Sequence, residues 1–211
     1  MSDNVKLNPF NFTSEVYSLD RLMAGGVQND LGLVIPDYQR GYTWEQEEVE
    51  RLFIDILISL INRSSEPSGH FLGATVWNLR RRAEETDFSV PSYDIVDGQQ
   101  RITTCLLLTI NLLFSIRAGH AQVKADTTIP TELLNWLNAE ISQVETQASQ
   151  MLVGDIKFGD DYPRLIYEQD VRAKEHSHSE YNSPIAKLIL STFSSLNTGQ
   201  LKPDFGAITV K

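Results

Sequence analysis

Cysteine is nearly absent from this 211-residue chain. Cys105 stands alone, so no internal disulfide can form, and a reducing, cytoplasmic setting is expected. Positive charge is scarce as well: 18 Lys and Arg face 28 Asp and Glu, for a formal net charge of −10. That balance argues against a strong general nucleic-acid binder, because neutralising phosphates needs a basic face. The triplet Arg80-Arg81-Arg82 leaves room for a local basic patch, although a solvated strand end is the plainer reading. Long apolar runs are missing too. The longest, residues 106–116, is broken by Thr109, Asn111 and Ser115 and is too short to span a bilayer, so no membrane partner is expected. The first residues lack the basic-then-apolar order of a secretory signal. Metal ligands are thinly spread. His176 and His178 lie in a polar stretch without a nearby cysteine, and Asp160-Asp161 sits in Gly-Asp-Asp-Tyr-Pro, which suits a turn better than a metal site. No repeat is visible.

What is present is enough apolar residue, 41%, to build one substantial core. Helical spacing of Val16, Leu19, Leu22 and Met23 predicts a first helix over residues 14–24. The apolar run 31–35, ended by Pro36, predicts a strand. Thr43 and Gln46 fit a capping box opening a helix whose stripe is Val49, Leu52, Phe53, Ile56, Leu57, Leu60 and Ile61. Residues 64–69 read as a loop, and residues 70–79 as a strand in which Gly73 marks a bulge or a close backbone approach. His70, at the start of that strand, is a site candidate, though a structural histidine is the commoner case. A hairpin partner is expected at residues 93–96, and a nearly all-apolar helix over 100–117. Residues 119–128 read as a polar connector. A helix from Pro130 to about Ala148 follows, then short strands at 151–158 and 164–167 around a turn at 159–163. Residues 173–183 are strongly polar and expected to be mobile, and an amphipathic helix over 184–196 is stopped by Asn197-Thr198-Gly199.

The chemistry concentrates in the turn Asp97-Gly98-Gln99-Gln100-Arg101, set between a buried strand and the apolar helix. Free backbone N–H groups and the helix dipole make such a helix start favourable to an anion such as phosphate. Asp97 could instead cap the helix. A second polar segment, Pro36-Asp37-Tyr38-Gln39-Arg40-Gly41-Tyr42-Thr43-Trp44, combines large amphipathic side chains with an arginine beside a glycine. By composition it could equally be a core-edge loop.

Together with Phe71-Leu72-Gly73, these two segments resemble the signature of the N-terminal domain of GmrSD-type modification-dependent restriction enzymes, which also occurs in the phosphorothioate-sensing defence protein SspE. The resemblance covers residues 12–117, with only general similarity beyond. It implies an α/β (α+β) fold of the ParB/sulfiredoxin-like type: a small mixed sheet with packed helices over 1–118, followed by a mainly helical extension over 119–211 that is incomplete at its C-terminal end. It also implies a nucleoside triphosphate as substrate, Mg²⁺ as cofactor, and modified DNA, phosphorothioated or glucosylated, as partner. In that scheme Arg101 contacts phosphate, Gln99 and Gln100 orient phosphate or water, and Asp97 binds the metal or fixes the loop. Gln39 and Arg40 approach the same pocket, Gly98, Thr103 and Thr104 complete the nucleotide site, and Tyr38, Tyr42 and Trp44 are candidates to line a pocket for the modified DNA.

Two departures narrow the scheme. The sulfiredoxin branch needs a reactive cysteine in the loop, whereas Cys105 lies one turn into the helix. No His/Asn/His nuclease cluster is recognisable, so an HNH-type nuclease is expected in a C-terminal domain or a partner chain, and this chain is expected to be an N-terminal fragment or a shorter member. A homodimer is compatible with this reading. The competing readings are a non-catalytic ParB-like DNA-binding module and a scaffold for assembly.

Overall fold

The computed structural model describes residues 14–23, 32–62, 70–79, 92–155, 161–177 and 181–202. In chain order its elements are α1 (Leu19–Met23), β1 (Gly32–Ile35), α2 (Gln46–Ile61), β2 (Val76–Leu79), β3 (Ser92–Asp97) and α3 (Gln99–Ala125). There follow α4 (Thr131–Leu152), β4 (Val153–Asp155), β5 (Asp161–Pro163), β6 (Leu165–Tyr167), α5 (Glu168–Ser177) and α6 (Pro184–Asn197).

The fold is mixed α/β. A four-stranded sheet has the order β2-β3-β1-β6, and β4 and β5 pair separately. β1 runs parallel to both β3 and β6, while β2 joins β3 antiparallel as the expected hairpin. The central strand Gly32-Leu33-Val34-Ile35 is buried throughout, as a parallel strand covered on both faces must be. Alternation sends its side chains to two cores. Leu33 and Ile35 pack with Ile95, Ile102, Leu106 and Ile189, and Val34 packs with Ile166, Tyr181 and Ala186. Each fully buried Leu or Ile of this kind contributes roughly 1.5–3 kcal/mol.

Helix α3 is the axis of the larger core. Ile102, Leu106, Ile110 and Phe114 belong to it. The polar residues that interrupt the apolar run do not interrupt the helix, because their side chains bond back one turn: Thr109 Oγ1 to the Cys105 carbonyl at 2.9 Å, and Ser115 Oγ to the Asn111 carbonyl at 2.9 Å. The expected connector at 119–128 is corrected here. α3 continues through Gly119 to Ala125, a glycine costing a helix only about 1 kcal/mol, and the turn is confined to residues 126–130. At 27 residues α3 is long and apolar enough to cross a membrane by length and composition, in contrast to the estimate from its apolar run alone. Ile102, Leu106, Ile110 and Phe114 of this helix pack the core, while Leu112 and Ile116 stand exposed.

The division expected at residues 118–119 falls inside α3. The sheet takes β6 from beyond it, and the main core cluster runs from Met23 to Ile189. Arg117 braces the same region. Its Nε lies 2.8 Å from Glu145 of α4, and its Nη1 donates to the carbonyls of Ser195 and Gln200 at the end of α6.

Other boundaries shift for local reasons. Residues 14–18 stay outside α1, and Val16 is 94% exposed, so it is no part of a buried face. The N-cap of α2 is Glu45, whose backbone N–H donates to Glu48 Oε2 at 2.9 Å, and not Thr43, whose N–H is used elsewhere. Residues 151–152 end α4, Asp161–Pro163 is a strand and not part of a turn, and residues 173–177 complete α5. The triplet at 80–82, the loop at 64–69, Asp160 and His178 lie outside the described residues, as does the side chain of His176.

Candidate functional site

Because β1, β3 and β6 are parallel, their carboxyl ends open on the same edge of the sheet. In open α/β sheets that edge is where ligand crevices form. The segment 36–45 leaves β1 there, α3 starts there after β3, and α5 starts there after β6.

The two polar segments, far apart in sequence, are fastened together at this edge. Gln39 Nε2 donates to the Val96 carbonyl at 2.7 Å, and Gln99 Nε2 donates to the Arg40 carbonyl. Gln100 pairs with the loop at both ends of its amide: Nε2 donates to the Gly41 carbonyl, and Oε1 accepts from the Thr43 N–H, each at 3.0 Å. The Tyr42 hydroxyl lies 2.8 Å from Thr104 Oγ1, which itself donates to the Gln100 carbonyl. From the other side, the Asp37 N–H donates to Glu168 Oε2 at 3.0 Å, and the Asp37 carboxylate pairs with Arg172. That pairing holds the Arg172 guanidinium above its ordinary pKa. Both contacts come from α5, whose sequence carries no signal for them.

Arg101 is seated on a third segment. Its Nη1 donates to the Leu72 carbonyl at 3.0 Å and its Nη2 to the Ala74 carbonyl at 2.8 Å, with Asp97 Oδ2 at 3.5 Å. Gly73, between those carbonyls, has φ +93°, and a Cβ there would overlap Arg101 Nη1. Residues 70–75 are thus not the expected strand, and the Leu72 and Ala74 carbonyls turn toward the arginine. Gly73 is the close backbone approach that the sequence suggested. Gly98 is the second glycine the site requires. Its φ is +97°, and a Cβ there would lie 2.5 Å from Thr75 Cγ2.

Gly98 is the N-cap of α3, so the alternative of Asp97 as N-cap is corrected. The Asp97 side chain is 67% exposed and pairs with Arg101 at 3.5 Å. With no side chain at the cap and no acidic residue in the first turn, the start of α3 keeps the positive end of its dipole uncompensated. Gln99, Gln100, Thr103 and Thr104 are buried around it. Arg40 is exposed and its guanidinium has no partner among the described residues. Tyr38 is 70% exposed, Tyr42 is partly exposed with its hydroxyl anchored on buried Thr104, and Trp44 is half-buried, so the three aromatics lie along one loop.

The model of the GmrSD restriction endonuclease N-terminal domain family matches residues 22–203. The chain belongs to that family. No curated protein matches it significantly. The match runs well past residue 117, so in this GmrSD N-terminal domain the helices α4 to α6 belong to the family pattern along with the motif-bearing part. The chain is therefore a module of a restriction system.

Two further features bear on the chemistry of this GmrSD domain. Cys105 is buried, and burial pushes its thiol up to about 11, partly offset by nearby Arg101. It is protonated at neutral pH and is no nucleophile. A concavity of about 400 Å³ lies away from the polar loops, between α2 and α3, walled by Phe53, Leu57, Leu60, Leu108 and Leu112. His70 stands at its wall, 3.3 Å from Ser59 Oγ, and is not part of the polar site.

Proposed function

We propose that this domain binds and hydrolyses nucleoside triphosphates at the Asp97–Arg101 turn, as the sensor of a bacterial antiphage, DNA-modification-dependent restriction system whose nuclease lies elsewhere. The observation that carries this reading is the start of α3: an uncapped helix N-terminus behind a left-handed glycine, held at the carboxyl edge of a parallel sheet by the loop from β1. Arg40 supplies an exposed guanidinium on that loop, unpaired among the described residues and suited to bidentate contact with phosphate. Arg101 makes three contacts within the protein, which fix the turn, and a guanidinium carries five N–H donors, so donors remain for a phosphate.

A Mg²⁺ ion is compatible with the residues present. Among the described residues no three acidic, His or Cys side chains converge, but Mg²⁺ on a nucleotide commonly takes one or two carboxylates plus phosphate oxygens. Asp97, well exposed beside the turn, would hold it, and the ion would neutralise phosphate charge. Tyr38, Tyr42 and Trp44, on the loop fastened to that turn, would be the contact through which modified DNA is felt by the nucleotide site.

The decisive experiment is a binding and hydrolysis panel of four nucleoside triphosphates, with plain and modified DNA, on wild type and on Arg40→Ala and Arg101→Ala. Hydrolysis that falls at least about tenfold in the variants supports the proposal. Neither binding nor turnover in wild type rejects it.

One observation favours a second reading, a non-catalytic DNA-binding or assembly module. Gln100 and much of Arg101 are engaged with the protein's own backbone. DNA affinity that falls steeply with salt and ignores nucleotide would favour that module.

A further inference from the structure

We infer that the two adjacent glutamines divide the work: Gln99 positions the attacking water, and Gln100 serves only as the clamp on the β1 loop. This rests on the nucleotide-hydrolysis reading above and assigns residues within it. Both side chains are more than nine-tenths buried. Gln100 is satisfied at both ends of its amide, by the Gly41 carbonyl and the Thr43 N–H. Gln99 is satisfied at one end only. Its Nε2 donates to the Arg40 carbonyl, whereas its Oε1 is buried without a hydrogen-bond partner among the described residues.

The orientation of the Gln99 amide is not arbitrary, since a carbonyl can only accept and must therefore face the nitrogen. The remaining oxygen can only accept in turn. Buried polar atoms are bonded as a rule, so this one calls for a donor. An ionised phosphate offers none, which removes direct phosphate contact as the task of that oxygen. Gln99 opens α3, where the anion would sit, and the donor we assign to its oxygen there is the water that attacks the substrate. In the step so arranged, the water oxygen forms a bond to the terminal phosphorus. The bond from that phosphorus to the bridging oxygen breaks, and its electron pair leaves with the nucleoside diphosphate. The water proton passes to the released phosphate or to solvent. Gln99 accepts a hydrogen bond throughout and takes no proton.

The test is steady-state hydrolysis of ATP and GTP with Mg²⁺ by the full chain, comparing wild type with Gln99→Ala, Gln99→Met and Gln100→Ala. Nucleotide affinity is measured separately by equilibrium binding. Gln99→Met keeps the length of the side chain and guards against loss of packing in the alanine variant. The expected result is a fall in kcat of at least about tenfold for the Gln99 variants with affinity within about threefold. Gln100→Ala should instead alter affinity and the emission of Trp44. Unchanged kcat in Gln99→Met, or a loss confined to affinity, overturns the assignment while leaving the nucleotide reading intact. Absence of turnover in wild type overturns both.

Discussion

Arg101 lies across the backbone of Gly73, donating to the carbonyls on either side of it, at Leu72 and Ala74, where any side chain would collide with its guanidinium. Two of the short motifs are thus one structural unit. The arginine fixes the segment before β2, and the glycine fixes the arginine.

Gly73→Ala is therefore expected to destabilise the protein by about 1–3 kcal/mol, combining a left-handed backbone with displacement of Arg101. Gly119→Ala, in open space within α3, should stabilise it by about 0.5–1 kcal/mol. Urea unfolding of both variants against wild type checks the opposite signs.

Arg117→Ala should cost about 2–4 kcal/mol. It leaves Glu145 without its partner and removes the donors at the end of α6. Arg117→Lys should recover only part of the loss, because an ammonium cannot reach both the carboxylate and several carbonyls. Thermal unfolding measures the difference.

The Cys105 thiol, raised to about 11, should react slowly with a thiol reagent in the folded protein and quickly in denaturant. The sign of its pH effect follows from burial. A folded pKa above the unfolded value of 9.0 means that its contribution is fully present below about pH 9. That contribution is lost as pH rises toward 11, and amounts to at most roughly 2–3 kcal/mol. Stability from pH 8 to 11, compared with Cys105→Ser, isolates the effect.

Gln100→Ala should release the β1 loop, since it removes two of the bonds that fasten residues 41 and 43 to α3. Faster tryptic cleavage after Arg40, with global stability lowered by about 1–3 kcal/mol, is the expected outcome.

Much of this architecture was legible beforehand where neighbours in sequence decide it. The stripe Val49 to Ile61 forms α2, the apolar run ended by Pro36 forms a buried strand, and the 76–79 and 92–97 segments pair as a hairpin. What misled was judging breaks by residue type alone. Gly119 lies inside α3, and Thr43 yields the cap to Glu45 because its N–H is claimed by Gln100.

The candidate site divides along the same line. That Asp97-Gly98-Gln99-Gln100-Arg101 joins a strand to a helix start, with a glycine where a close approach is needed, was determined by the sequence itself, through periodicity and the stereochemistry of single residues. That Gln100 is satisfied and Gln99 is not, that Arg101 rests on Gly73, and that β6 completes the sheet beside β1 were decided only in three dimensions. The reason is physical. Helix and strand patterns arise from neighbours a few residues apart, whereas the partner of a buried amide here lies 59 residues away, across a sheet edge that exists only once the chain has folded.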